Sequence, residues 1–426
     1  ACRKLGLECV VGASEVDMDG MAAHLADRVV CIGPGPAAQS YLRDDAVVHA
    51  ALATECDAIH PGYGFLSESP KLARRAREAG VTFVGPPTEA IELAGDKLAA
   101  REQAALAGAP VLPGGEVADA QSARRLAGEI GYPLLVKAAG GGGGRGIKRV
   151  GDEAQLDAVL GLARSEAGAA FGDDRVYLEK LIESARHVEV QIAADEHDRT
   201  LHLGERDCSV QRRFQKVIEE APAPALSPDT RARLQESAVA FAQRIGYRNL
   251  GTAEFVIDAQ TGEPYFLEVN CRIQVEHPVT EAVTGLDLVA LQLELAAGAP
   301  LEFGQDDVHV EGHAIECRLN AEDPAHGLRP SPGTITVFAV PERTGLRVDT
   351  HCQAGAVVPP YYDSLLGKLI AHADERAHAI DILIDALEDL DVDGVDTNRV
   401  LLLSVLGLPD FRAGAVTTSW LEHVLA

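Results

Sequence analysis

The sequence predicts an α/β region followed by an α+β region, and three patterns carry that prediction. Short apolar runs alternate with helical stretches over about the first ninety residues. A strand, a run of glycines and a second strand follow in the middle. From His187 the chain turns to long alternating strands, and from Gly312 strands mix with helices in what reads as a separate unit.

Residues 1–5 read as a helix ending at Gly6, and a chain that opens this way is expected to have lost an N-terminal strand. Residues 8–12, 28–32, 58–60 and 82–84 read as strand pieces; residues 67–79 and the stretch after Gln39 read as helices. This βα order predicts a parallel sheet. Pro86 and Pro87 break the chain before a helix around 89–107, and the Pro- and Gly-rich stretch 109–115 reads as a linker. A smaller unit comes next: helix 120–130, strand 133–138, the glycine loop, strand 146–150, helix 152–171 and strand 176–180.

Composition removes several classes of function. The 426 residues are 46% hydrophobic, enough for a large core, and no apolar run has the length of a membrane span. The start lacks the apolar stretch of a secretory signal. A net charge of −27 argues against a nucleic-acid partner, whose phosphates it would repel. The eight cysteines are scattered with no C-x-x-C pair, so zinc is not expected, and they read as reduced thiols of a cytoplasmic protein.

Four stretches carry chemistry. KAAGGGGGRGIK (137–148) holds five successive glycines between two strands, with cations at Lys137, Arg145 and Lys148. Such a loop lets backbone N–H groups approach phosphate oxygens and suits a lid over a nucleotide; a flexible linker is the plainer alternative. It is neither a Walker A loop nor a dinucleotide fingerprint, because no Gly-Lys-Ser/Thr and no helix follows. TAEFVI (252–257) and PYFLEV (264–269) form a predicted hairpin that sets Glu254 opposite Glu268. Opposed carboxylates repel unless a cation such as Mg²⁺ lies between them. Glu268, Asn270, Arg272, Gln274 and Glu276 then share one face of the extended chain, with Val269, Cys271, Ile273 and Val275 on the other. A half-exposed strand would show the same alternation. In ERDCSVQRRFQKVIEE (205–220), Arg206, Arg212, Arg213 and Lys216 make a basic cluster for an anion or for local salt bridges. HPGYGFLSE (60–68) demands a tight loop, either ligand-contacting or purely structural.

Together with GDK (95–97), GHAIECRLNAEDP (312–324) and PPYYDSLLGKLI (359–370), these strings resemble the biotin carboxylase family, in family order over nearly the whole chain. The resemblance implies an N-terminal domain over 1–93, an ATP-grasp domain over 94–302 with a lid at about 112–182, and a C-terminal domain over 309–423. It implies ATP-dependent carboxylation of biotin by bicarbonate through carboxyphosphate, the first half-reaction of an acyl-CoA carboxylase, with Mg²⁺ or Mn²⁺. Lys97, Lys137 and the backbone of Gly141, Gly142, Gly143 and Gly144 are implied to hold ATP phosphates. Glu179, Lys180 and Ile182 would line the adenine pocket, with His187 and Gln211 on the nucleoside. Glu254, Glu268 and Asn270 would hold the metal; Lys216, Arg272, Gln274 and Val275 would hold bicarbonate. Glu276 would be the base, with Arg272 stabilising the biotin anion. Arg347 and Tyr63 would lie at the biotin end. The implied partners are a biotin carboxyl carrier protein or domain, a carboxyltransferase subunit and a second copy in a homodimer, with no nucleic acid and no membrane.

Two departures stand out. Phe214 occupies a position where the family usually has His, which would reshape the nucleotide contact, and the family's opening strand is absent. The only methionines, Met18 and Met21, are not beside lysine, so biotin is expected on a carrier. A carbamoyl-phosphate synthase-like ligase would share the loop and the carboxylate pair but not HPGYGFLSE or GHAIECRLNAEDP. An inactive fragment that keeps partner binding is the third reading.

Overall fold

The computed structural model describes residues 1–140 and 146–425. In the N-terminal unit β1 (Val10–Ser14) pairs in parallel with β2 (Arg28–Gly33), and β3 (Ala58–Ile59) with β4 (Thr82–Phe83). α1 (Met21–Leu25), α2 (Asp44–Ala53) and α3 (Pro70–Glu78) supply the helices of this βα pattern. Residues 1–6 form turns rather than the expected helix. Leu5 N–H reaches Ala1 O at 3.1 Å, but Gly6 at φ +69° ends the nucleus before it can propagate.

The single helix expected around 89–107 is two, α4 (Thr88–Gly95) and α5 (Lys97–Leu106). Asp96 is the reason. Its backbone is extended, and its carboxylate accepts the N–H groups of Leu98 and Ala99 at 3.0 and 3.1 Å as an N-cap. Lys97 is thereby fixed in the first turn of α5.

The small middle unit comprises β5 (Gly114–Glu116), α6 (Ala120–Ile130), β6 (Leu134–Ala138), β7 (Ile147–Val150), α7 (Glu153–Phe171) and β8 (Val176–Lys180). Its strands form an antiparallel sheet in the order β5-β8-β6-β7, packed through Leu134, Val136, Val150, Leu156 and Leu178. The expected linker thus ends as a strand. Glycine is required there, because a Cβ on Gly114 would lie 2.2 Å from the carbonyl oxygen of Leu178.

β9 (Ala185–Ala194), β10 (Thr200–Arg212) and β11 (Gln215–Ala221) lead to α8 (Pro228–Arg244) and the hairpin β12 (Asn249–Asp258) with β13 (Pro264–Asn270). α9 (His277–Thr284) and α10 (Leu288–Ala296) follow, then β14 (His313–Asn320). Short pairings come next: β15 (Glu322–Asp323) with β16 (Arg329–Pro330), β17 (Gly333–Thr334) with β20 (Val357–Val358), and β18 (Val337–Ala339) with β22 (Asp391–Asp393). Two longer strands, β19 (Leu346–Thr350) and β21 (Leu365–Ala373), precede α11 (Arg376–Asp389).

One antiparallel sheet of eight strands, β13-β12-β9-β10-β11-β14-β21-β19, unites the middle and C-terminal regions. The C-terminal unit is therefore separate in its core but not in its sheet. Ile315, Cys317, Leu319, Leu383 and Phe411 pack together on one side of it. Val188, Val190, Phe241, Phe255 and Phe266 form a second core under α8. Truncating a buried ring there, as in Phe266→Ala, costs about 3–5 kcal/mol.

Candidate active site

Strand alternation builds the site. Across β10, β9, β12 and β13 the residues Arg206, Glu189, Glu254 and Glu268 stand in one row, while their neighbours Val188, Val190 and Phe255 turn into the core. The expected opposition of Glu254 and Glu268 is a direct cross-strand pair, and Glu189 makes it three adjacent carboxylates. Such a row is stable only if cations meet it.

Lys216 is the central cation. Its Nζ lies 2.6 Å from Glu189, 3.1 Å from Glu254 and 2.5 Å from Glu276. His187 Nε2 is 3.1 Å from the other oxygen of Glu254, and Lys97 Nζ is 2.9 Å from Glu268. Asn270 donates to Glu254 at 2.8 Å, and Gln274 at 3.4 Å. Burial pushes the Glu254 carboxyl up, but Lys216 and His187 outweigh it and hold the group far below the usual carboxylate range. Burial lowers His187, and Glu254 reverses that, so the imidazole takes a proton more readily than in water.

The predicted basic cluster divides in two. Arg206 is fully buried and spends its guanidinium on Glu189 (2.6 Å), Gln191 (2.8 Å), Thr280 (2.9 Å) and Thr252 (3.1 Å). Arg212 points elsewhere, to the carbonyl of Gly327 at 2.8 Å. Arg213 and Phe214 are the two central residues of the β10–β11 hairpin turn, at φ +50° and +65°, which swings the Phe214 ring into solvent. Of the four cations Lys216 and Arg206 both meet Glu189, and Arg212 and Arg213 lie apart.

The segment after Glu268 keeps its alternation although the strand ends at Asn270. Val269, Cys271 and Ile273 are buried on the core side. On the other side Arg272 donates to Asn270 at 3.2 Å and Gln274 at 3.0 Å, and is 3.1 Å from Glu68. Glu68 also accepts the Cys271 N–H at 2.9 Å. The end of the HPGYGFLSE loop thus locks this segment, helped by Gly62 and Gly64 at φ +65° and +75°. Tyr63 is exposed in that loop, with Glu316 and Arg318 among the charges that act on its hydroxyl. The Val275 carbonyl accepts from Lys368 Nζ at 2.7 Å.

Glu276 stands at the N-cap position of α9 with no side-chain capping bond and is fully buried. Besides Lys216 it meets Arg318 at 2.9 Å. Burial pushes its carboxyl up, yet Lys216, Arg318 and Arg206 together take it well below the usual range. Arg318, Glu189, Glu219 and Lys368 are site residues the sequence reading did not assign. For Arg318 the signal was available: it stands two residues after Glu316 in GHAIECRLNAEDP, on the same face of β14.

Other predicted residues lie further out. Lys137 and Glu179 form a buried ion pair in the small sheet, with Arg101 at 3.2 Å from Glu179. Lys180 donates to the carbonyls of Gly131 and Tyr132 at 3.3 and 3.2 Å, and Ile182 is half-buried just beyond β8. Gln211 is buried opposite Lys216. Lys97 N–H donates to Ala139 O at 3.2 Å, joining α5 to the start of the glycine loop. Gly141, Gly142, Gly143 and Gly144 fall outside the described residues. Arg347 is not in the cluster. It sits half-exposed on β19, 2.7 Å from both Glu281 and Asp349.

The carboxylates of Glu254 and Glu268 and the amide of Asn270 are hard oxygen donors, which suit Mg²⁺ or Mn²⁺ beside a phosphate chain. Lys97, Lys216 and His187 neutralise them in the protein alone. No helix among the described residues is long and apolar enough to cross a membrane.

Known proteins match this architecture along its whole length. Residues 1–91 match the family model for the biotin carboxylase N-terminal domain, and 316–423 that for the biotin carboxylase C-terminal domain. Residues 96–303 match the ATP binding domain of the carbamoyl-phosphate synthase L chain. The biotin carboxylase of Allochromatium vinosum is 47% identical over 428 residues, covering 100% of this chain and 95% of that protein. Biotin carboxylase 1 of Bacillus subtilis is 45% identical over 424 residues, covering 99% and 94%. The biotin carboxylase of Campylobacter jejuni, solved as a β,γ-ATP complex, superposes with a TM-score of 0.96 at 42% identity over 99% of this chain and 94% of that one. The biotin carboxylase domain dimer of Hydrogenobacter thermophilus 2-oxoglutarate carboxylase, solved with MgADP, ADP and bicarbonate, gives 0.95 at 43% identity over 100% and 94%. The flanking domains set the chain apart from a carbamoyl-phosphate synthase-like ligase: it belongs to the biotin carboxylase family of ATP-dependent carboxylases.

Proposed function

We propose that this chain transfers a carboxyl group from bicarbonate to the biotin of a carrier protein or domain, at the expense of ATP. The observation that carries this reading is the convergence of Lys216, Arg318 and the buried carboxylates of Glu189, Glu254 and Glu276 at one point of the sheet. That point offers cations for an anionic substrate and a carboxylate to take its proton.

Lys97, Lys137 and the loop at Gly141–Gly144 hold the ATP phosphates in this reading, with Glu179, Lys180, Ile182, His187 and Gln211 around the nucleoside. Glu254, Glu268 and Asn270 hold Mg²⁺ or Mn²⁺, which neutralises charge on the transferring phosphoryl group. Lys216, Arg272, Gln274 and the backbone of Val275 bind bicarbonate. Glu276 then takes the bicarbonate proton as the carbonate oxygen bonds to the γ-phosphorus and the β–γ anhydride bond breaks, releasing ADP. The low proton affinity of Glu276 rises at that moment, because the arriving anion competes with it for Lys216 and Arg318. The C–O bond of carboxyphosphate then breaks to give CO₂ and phosphate, the phosphate takes the proton of the biotin ureido nitrogen, and that nitrogen bonds to the CO₂ carbon, with Arg272 and Arg318 stabilising the intervening anion. Tyr63 lies at the rim where biotin would enter. Arg347 would reach biotin only by leaving Glu281 and Asp349.

A carboxyltransferase subunit consumes the carboxylated carrier, two copies pair as a homodimer, and eight free thiols suit the reducing cytoplasm. The test is ADP release from Mg-ATP and bicarbonate with and without free biotin. Strong stimulation by biotin is expected. ATP cleavage that ignores biotin would point to a different ATP-grasp ligase.

A further inference from the structure

Behind Glu276 lies a second pair of opposed glutamates. Glu219 on β11 and Glu316 on β14 are direct cross-strand partners, and both are fully buried. Glu219 accepts from Arg318 Nε at 2.6 Å through one oxygen. Its second oxygen and both oxygens of Glu316 have no hydrogen-bond partner among the described residues. The nearest cations are already engaged. Arg318 spans Glu219 and Glu276, and Lys368 donates to the Val275 carbonyl. Two bare buried carboxylates on directly paired strand positions are untenable. A proton taken up by the pair removes one of its two charges and gives an orphan oxygen a hydrogen to donate.

We propose that Glu219 and Glu316 share one proton, and that this pair holds Arg318 against Glu276, making Glu316 a positioning residue that sets the affinity of the site for bicarbonate. The reading deepens the proposed function and rests on it. The groups facing the pair are Glu276 from the start of α9, Cys208 from β10, Lys216 from β11, Arg318 from β14, Lys368 from β21 and Tyr63 from its loop. Burial raises both carboxyls, Glu219 to about 7 and Glu316 well above the usual range. Losing the shared proton places a second negative charge against Arg318. Arg318 is drawn from Glu276, and the site repels its anionic substrate.

Glu316→Gln tests this, because the amide still donates to Glu219 but has no proton to lose. The KM for bicarbonate is measured in both proteins across neutral to alkaline pH. Taking the ratio of wild type to variant cancels the ionisation of bicarbonate itself. The ratio is expected to rise roughly threefold or more on going from about pH 7 to about pH 9. A ratio independent of pH overturns the proposal, since a merely structural role would shift KM equally at every pH. Infrared spectroscopy of the wild type supplies a second readout that needs no variant. A carbonyl band of a buried protonated carboxyl should be present at neutral pH and fade as pH rises, and its absence at neutral pH also overturns the proposal. If biotin fails to stimulate ATP cleavage, the proposed function falls, while the infrared band still reports on the pair.

Discussion

The eight-stranded sheet carries two pairs of directly opposed glutamates, Glu254/Glu268 on β12–β13 and Glu219/Glu316 on β11–β14. They share one backbone arrangement and differ in their surroundings. Lys97, Lys216 and His187 crowd the first pair, and burial is outweighed at Glu254. At the second pair Arg318 is, among the described residues, the one cation that bonds to a carboxylate, and burial wins over it and Lys368. The same cross-strand repulsion is relieved by exchangeable cations in one place and by a proton in the other.

The largest expected effect falls where the two pairs meet. Glu276→Gln should lower biotin-dependent turnover by about 10²-fold or more while leaving ATP binding measurable by calorimetry. An active Glu276→Gln enzyme would remove it as the base. Next, Glu268→Gln should raise the Mg²⁺ concentration for half-maximal rate by roughly tenfold. The same titration on Glu316→Gln should match wild type; a shift there would mean the two pairs are not distinct.

A smaller effect concerns stability. A carboxyl whose proton affinity is raised by folding costs stability as pH climbs above its unfolded value, so the cost at Glu316 is absent below about pH 4 and present at neutral pH. Glu316→Gln should therefore melt roughly 2 °C higher than wild type at pH 8, with the gain vanishing in acid. Glu254 has the opposite sign: its contribution is present at neutral pH and is lost as pH falls. The smallest effect is expected at Arg347, an exposed ion-paired residue. Arg347→Ala should cost no more than about threefold in turnover. A larger loss confined to the biotin-dependent step would place Arg347 at biotin.

The first pair was legible in the sequence because a hairpin is local: a turn at Gly262 fixes which residue faces Glu254. The second was not, because β11 and β14 are neighbours only after about a hundred residues of intervening chain, and nothing in the alternation of HAIECRLN says which strand lies beside it. The four-cation cluster held only in part for a related reason. Arg206 and Lys216 converge on Glu189, whereas Arg212 points to Gly327 and Arg213 sits in the hairpin turn. The split of the helix at Asp96 was written in the sequence as an N-cap beside GDK, a signal that the apolar periodicity on either side obscured. The length of the sheet was hidden by a change of pattern at Gly312 that marks a new core but not a new sheet.

The central claim is that the Lys216–Glu276–Arg318 centre moves a carboxyl group from bicarbonate to biotin. Incubating the protein with Mg-ATP, free biotin and carbon-labelled bicarbonate, then separating acid-labile carboxybiotin, tests it directly. The account predicts label in carboxybiotin that requires ATP and disappears in Glu276→Gln. ATP cleavage without any labelled biotin would contradict it.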